Sequence, residues 1–248
     1  MITNAYDKTE SMFGPKDFYG DQKHLCEKCI ITFSDVIFDY MLENYKHEDV
    51  GIIKCANGIK TVYVFEIEGM KIAGYLSHIG SALAGTDVID VNWLTGATQF
   101  IMFGSAGSLD SEATTGKYVI PISTYREEGF SYHYAEPSDY IDIKNFCKIE
   151  KIFKELKLPY LTGKVWTTDA VYQETKGKIM ARKNEGCIAV EMELAGVQAV
   201  CDFYGFELYD FLVTGDVLDQ AVYDICSLGN ANHDMDKLLI AIEIAKRI

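Results

Sequence analysis

Apolar positions along the chain fall into short unbroken runs separated by segments of helical spacing, and this alternation predicts an α/β fold. Cys29 to Phe33 reads as a first buried strand, and Ser34-Asp35 as the cap of a helix through Val36, Ile37, Tyr40, Met41 and Leu42. Lys60 to Ile67 and Met70 to Leu76 read as strands joined by the turn Glu68-Gly69. After a loop over Ser77 to Gly80, Ser81 to Leu94 reads as a helix ending near Gly96. Phe100 to Phe103 is wholly apolar, which suits a central sheet position, and it leads into the glycine-rich turn Gly104-Ser105-Ala106-Gly107-Ser108. Tyr118 to Ile122 is a strand, followed by a polar and aromatic loop to about Tyr140. Ile143 to Leu156 is an amphipathic helix, Gly163 to Thr167 a strand, and Lys176 to Asn184 a helix closed by Gly186.

The rest of the chain is organised around Ile188 to Asp219. Ile188 to Val190 is a strand end; Leu194, Val197, Val200, Cys201 and Tyr204 recur at helical spacing, and Gly205 stands where a C-terminal cap belongs. Leu208 to Val213 is a second buried strand. Glu191, Met192 and Glu193 therefore sit at a strand-to-helix junction, and Asp216 just past the next strand's carboxyl end, where open α/β sheets place ligand chemistry. A last helix spans Leu238 to Ile248, begun near His233-Asp234. Met1 to His24 is polar and reads as an arm on the surface or on a neighbouring subunit; residues 25–248 read as one domain without repeats or linkers.

Composition narrows the function classes. A net charge of −14 over 248 residues argues against general nucleic-acid or acidic-membrane binding, but leaves room for a small anion held by local donors. No stretch approaches the ~18 apolar residues of a membrane span, and the N-terminus lacks the layout of a signal peptide. Seven scattered cysteines imply reduced thiols and a cytoplasmic setting; the lone Cys26-x-x-Cys29 reads as two such thiols, because no second pair completes a zinc site. No metal-ligand spacing appears, and no organic cofactor is implied.

Four segments carry candidate chemistry, each with a plainer structural use beside it. The turn at Gly104 and Ser105 brings backbone N–H groups and a hydroxyl toward an anion, or is a tight turn only; it has neither dinucleotide nor Walker spacing. Glu191, Met192 and Glu193 offer carboxylates for a sugar diol and a thioether face for the ring, or form a solvated first helical turn. Asp216 is a proton donor or a cap. Arg126 to Tyr134 holds aromatics and His133, for stacking on a planar ring or for packing the loop.

Taken in order, Ser77-His78-Ile79-Gly80, Phe103-Gly104-Ser105-Ala106-Gly107, Gly129-Phe130-Ser131-Tyr132-His133-Tyr134, Thr167-Thr168-Asp169-Ala170, Val190-Glu191-Met192-Glu193 and Thr214-Gly215-Asp216 resemble the nucleoside phosphorylase family, which groups purine nucleoside and uridine phosphorylases with methylthioadenosine nucleosidases. The resemblance covers about Lys60 to Asp219, and Val-Glu-Met-Glu is its most specific piece. It implies a single three-layer α/β domain, with a central mixed and partly closed sheet flanked by helices. It implies cleavage of a nucleoside's N-glycosidic bond through an oxocarbenium-like sugar. In these terms Glu193, Met192 and Glu191 would hold the sugar; Val171, Tyr172, Val190 and His133 would line the base pocket. Asp216, with Glu193, would be catalytic. Gly104 and Ser105 would hold phosphate as co-substrate.

The sequence departs from the family pattern at two cations. Met102 stands where phosphorylases carry an arginine before the glycine-rich turn, and Thr32-Phe33-Ser34-Asp35 lacks their Gly-Asp-Pro loop with its arginine. Arg126, Lys164 or a neighbouring chain would have to replace them. Thr175 and Gly177 stand near the positions where uridine phosphorylases read uracil. The expected function is phosphorolysis of a purine or pyrimidine nucleoside to free base and pentose 1-phosphate. Hydrolysis is the alternative, with Asp35 or Asp39 as candidate bases for the water, and a non-catalytic nucleoside-binding protein is the third reading. The expected assembly is a homo-oligomer, dimer-based or hexameric, in which His24 would reach a neighbour's pocket.

Overall fold

A computed structural model describes residues 4–56 and 58–248. The chain runs α1 (Pro15–Tyr19), β1 (Lys28–Thr32), α2 (Asp35–Asn44), β2 (Lys46–Cys55), β3 (Gly58–Ile67), β4 (Met70–Leu76), α3 (Ser81–Thr95), β5 (Gln99–Ser108), α4 (Ser111–Thr114) and β6 (Tyr118–Glu127). It continues through β7 (Tyr140–Asp142), α5 (Phe146–Leu156), β8 (Tyr160–Thr168), α6 (Lys176–Asn184), β9 (Cys187–Glu191), α7 (Leu194–Tyr204), β10 (Glu207–Val217), α8 (Leu228–Asn232) and α9 (Asp236–Ala245). Among the described residues no helix is long and apolar enough to cross a membrane.

All strands join one mixed sheet, as expected. Its order is β10-β6-β8-β9-β5-β1-β4-β3-β2, and an added β10–β5 pairing closes the first five strands on themselves. Ile37, Phe38 and Met41 of α2, Phe153 of α5 and Leu238 to Ile244 of α9 pack on one face; Val88 and Val91 of α3 and Val197 and Val200 of α7 pack on the other. The apolar spacing seen in the sequence is thus the spacing of two helical layers over a buried sheet.

β5 is the pivot. On one edge it pairs with β1 only as far as Thr32↔Phe103, and it meets β9 again only at Gly107↔Val190. Gly104, Ser105 and Ala106 lie in the gap, with that edge outside both ladders, while their other edge stays paired to β10. A sheet whose neighbour changes in this way opens a crevice at the change.

Several boundaries differ from the sequence reading. The glycine-rich segment is not a turn but the second half of β5, because β10 pairs with it through Ala106. Asp216 lies within β10, at a register shift between Thr214 and Val217, and not beyond its end. β2 has no counterpart in the reading: its first four residues are exposed and polar, as an edge strand permits. The final helix runs from Asp236 to Ala245, a short helix α8 that the sequence reading did not place precedes it, and α5 begins at Phe146, after β7 has taken up residues 140–142.

Of the anticipated arm, residues 1–3 lie outside the described residues. α1 and residues 20–24 lie against α3, where Trp93 Nε1 donates to the Gly20 carbonyl and the Lys23 N–H to the Trp93 carbonyl. His24 lies against Gly96, at the end of α3 away from Ser81. At α3's other end, α7 approaches so closely that a Cβ on Gly196 would stand 2.7 Å from Ser81 Cβ and 2.9 Å from its carbonyl oxygen. Gly196→Ala should therefore destabilise the protein by about 1–3 kcal/mol, read by urea denaturation; an unchanged midpoint would show that the two helices separate freely.

Candidate active site

The gap in β5 opens into a cavity of about 360 Å³, a size that suits a small organic molecule. Its lining includes Gly104 and Ser105 from β5, Val190 and Glu191 from β9, Met192 and Glu193 from the β9–α7 junction, Asp216 from β10 and Val171. The structure thus gathers residues that lie up to 112 positions apart in the chain (Gly104 to Asp216).

The β9–α7 junction is held by one buried carboxylate. Glu191 accepts the Thr167 hydroxyl and, at 2.6 Å each, the N–H groups of Glu193 and Leu194. It thereby satisfies donors that the first turn of α7 leaves open. With those oxygens committed, Glu191 is a wall of the cavity and a brace for α7, which corrects its expected place as a sugar ligand. Glu193 uses one oxygen to accept the Gly80 N–H at 2.7 Å, and among the described residues no side-chain donor meets the other. Ser81 Oγ donates to the Met192 carbonyl at 3.1 Å. The loop that supplies Gly80 is fixed in turn by Asp87 of α3, which accepts the His78 N–H at 3.1 Å and faces its ring Nδ1 at 2.9 Å.

Three of the expected residues lie elsewhere. Arg126 does not line the cavity: it is 3% exposed, its Nε donates to Ser131 Oγ at 2.8 Å, its Nη1 to the Glu136 carbonyl at 2.8 Å, and it stacks on Tyr132. It ties down the loop after β6, so it is not free for a phosphate. His133 is exposed on the short 3₁₀ turn Phe130–His133, and Tyr172, 96% exposed, points away from the cavity its neighbour Val171 lines. Lys164 lies over the Tyr140 ring, and Asp35 and Asp39 are exposed; none of the three lines the cavity.

The cavity also contains residues the sequence reading passed over. Glu174 and Tyr223 border Asp216, whose carboxylate accepts the Tyr223 hydroxyl at 2.9 Å. Ser34 Oγ meets His233 Nδ1 at 2.8 Å, and Ser105 Oγ donates to Asn232 Oδ1. Lys237, 2% exposed, donates to the Ala231 carbonyl at 2.5 Å and, more weakly, to that of Asn232. Asp210 is 1% exposed, and among the described residues neither of its carboxyl oxygens has a partner. Asp210 had a signal in the sequence, as a charged residue inside the apolar run Leu208 to Val213; Lys237 stands just ahead of the run Leu238 to Ile242, next to Asp236, and had little. Glu174 and His233 had none, since only the fold brings their loops to β5.

Acids dominate this lining: Glu174, Glu191, Glu193, Asp210 and Asp216 against Lys237 and His233. Burial, with the neighbouring Glu191, pushes Glu193 upward, and burial does the same to Glu191 despite its hydrogen bonds. Burial, then Asp216 and Glu127, raises Glu174 to about 7. Asp210 is pushed well above the carboxylate range by burial and then by Glu191 and Glu193.

A family model described as the phosphorylase superfamily matches residues 29–239. An uncharacterized protein of Acanthamoeba polyphaga mimivirus is 32% identical over 147 residues, which is 58% of this chain and 56% of the viral protein. The chain therefore spans little more than half of that relative's length. A DeoD-type purine nucleoside phosphorylase of Caldanaerobacter subterraneus subsp. tengcongensis is 24% identical over 211 residues, 83% of this chain and 89% of that protein. Among solved structures, AMP nucleosidase from Bacteroides thetaiotaomicron superposes with a TM-score of 0.66 at 21% identity, covering 90% of this chain and 88% of that one. A futalosine hydrolase mutant from Helicobacter pylori superposes with a TM-score of 0.69 at 16% identity, covering 88% and 99%. These two structural likenesses are of fold.

The acid cluster fixes the sign of a pH effect. A carboxyl whose proton affinity is higher folded than unfolded stabilises the fold fully below its unfolded pKa, and that contribution is lost as pH rises through the folded value. For Glu193 the window runs from the ordinary 4.5 to about 8. Unfolding free energy should therefore fall between pH 5 and pH 8, by on the order of a few kcal/mol for the cluster, and Glu193→Gln should flatten the slope. Denaturant titrations at both pH values check this; a slope that Glu193→Gln leaves unchanged would contradict the assignment.

Proposed function

Because the chain belongs to the phosphorylase superfamily, we propose that it cleaves the N-glycosidic bond of a nucleoside and that water, not phosphate, is the nucleophile. The observation that carries the choice of water is the charge around the cavity. Five acidic side chains line it, among the described residues no guanidinium does, and the one lysine there is already bonded to two carbonyls at the end of α8. A dianion in this setting would find carboxyls in place of the bidentate cationic partners that normally hold it. A sugar gathering positive charge as its base departs is favoured by the same surroundings.

In this reading the free oxygen of Glu193 accepts the sugar hydroxyls and Met192 packs beneath the ring. Val190 and Val171 border the base, and Asp216 gives a proton to the departing nitrogen while the Tyr223 hydroxyl orients it. Gly104 and Ser105 face the opposite side of the sugar, where the nucleophile enters. The named purine nucleoside phosphorylase among its relatives favours a purine base. We extend the reading to a homo-oligomer in a reducing cytoplasm: all seven cysteines are free thiols, and Met12, Phe13 and Phe18 leave an exposed apolar strip on the segment before β1. No organic cofactor enters the reaction.

Phosphorolysis is the second reading, favoured by Ser105 and by Lys237, whose ammonium borders the same end of the cavity. Chromatography of nucleosides incubated with the protein separates the two. Hydrolysis predicts equal release of free base with and without phosphate; release only with phosphate, alongside a sugar 1-phosphate, would establish the second reading. Glu193→Gln should lower kcat/KM roughly 10- to 100-fold, the weight of a hydrogen bond to a charged group. Asp216→Asn should slow purine release by about 100-fold or more, and release of an activated base much less. Equal losses on both would remove Asp216 as proton donor.

A further inference from the structure

Asp210 is the one residue of the cavity whose presence the fold does not explain. It interrupts the apolar run from Leu208 to Val213, and it pairs in parallel register with Met102 of β5. Its side chain is 1% exposed, both of its carboxyl oxygens lack a partner among the described residues, and it lines the cavity. An unpartnered buried carboxyl weakens a fold, and an apolar residue of similar size would pack there at no such cost. A hydrogen-bonding group entering the cavity would relieve that cost.

The place of Asp210 indicates what enters. It stands level with Met102, below the unpaired edge at Gly104 to Ala106, whereas Asp216, Glu174 and Val171 gather at the other end of the cavity, near Gly107. Asp35 and Asp39, the acids that the sequence offered for activating a water, are exposed and outside the cavity.

We propose that Asp210 is the catalytic group that holds the attacking water and takes its proton. The inference rests on the hydrolytic reading given above. In the step, the water oxygen bonds to the anomeric carbon and one water proton passes to the Asp210 carboxylate. The carbon–nitrogen bond breaks, its electron pair goes to the base, and the base nitrogen receives a proton from Asp216. The sum is one water added across the glycosidic bond. Burial disfavours the ionised Asp210 carboxyl in the empty cavity, and the positive charge gathering on the sugar favours it during the step.

The test uses the whole protein with a purine nucleoside and no phosphate. Asp210→Asn, nearly the same shape, should lower kcat by roughly 100-fold or more, change KM by less than about threefold because the sugar and base contacts remain, and melt no lower than the unsubstituted protein. Asp210→Ala should regain turnover when formate, a small carboxylate able to enter the vacated space, is added. A variant that keeps most of its kcat would overturn the proposal, as would loss of activity together with a lowered melting temperature and no effect of formate. The unsubstituted protein reports separately on the premise. If it releases base only with phosphate, the hydrolytic reading fails and Asp210 falls with it; if it hydrolyses nucleosides and Asp210→Asn does so as fast, Asp210 alone is wrong.

Discussion

The buried carboxylate of Glu191 is the interaction on which the site depends. It joins three elements: β8 through the Thr167 hydroxyl, β9 from which it projects, and α7 through two backbone N–H groups. Burying an acid is costly, and three well-placed donors offset most of that cost. The consequence is geometric. With the strand end and the helix start locked together, Met192 and Glu193 have no freedom to turn outward, and Gly80 N–H secures Glu193 from the opposite side. The close approach of α7 to α3 at Gly196 and Ser81 then holds the two helix ends in register.

The second constraint is topological. β5 leaves β1 at Phe103 and meets β9 at Gly107, so a central strand has an unpaired edge in the middle of the sheet. The cavity is lined from around that gap: by β9 and its junction, by β10, by the segment between β10 and α9, and by the loops after β1, β4 and β8. The elements that close the gap bring acids with them, while Arg126 is bound to its own loop and Arg182 lies over the Tyr125 ring beside Glu185. Charge, more than shape, therefore separates a site for a developing sugar cation from one for a phosphate dianion.

Much of this was legible in the sequence, and the reasons for the rest are physical. The layers and the mixed, partly closed sheet followed from apolar runs and helical spacing together with the family resemblance. The cap at Gly205, with its left-handed φ of 75°, was visible as a glycine after the last apolar helical position. The glycine-rich half of β5 was not, because a strand of small residues next to an unpaired edge has the composition of a turn. Glu191 and Glu193 look equivalent in the sequence; only the hydrogen bonds separate the brace from the residue with an oxygen to spare. Arg126 and His133 sit in a segment that matches the family, yet one is committed to its loop and the other is exposed. Asp210 was readable as an acid in an apolar strand, but its lack of partners is a property of the packed core alone.

The central claim is that the acids around this cavity stabilise positive charge on a bound sugar. Calorimetric titration with two nucleoside analogues tests it directly: one whose sugar ring oxygen is replaced by a protonated nitrogen, and a neutral carbon-linked analogue of the same shape. The account predicts that the cationic analogue binds tighter by about 100-fold or more, as a mimic of the transition state should. Equal affinity, or tighter binding of the neutral analogue, would show that the cavity does not stabilise a sugar cation and would contradict the account.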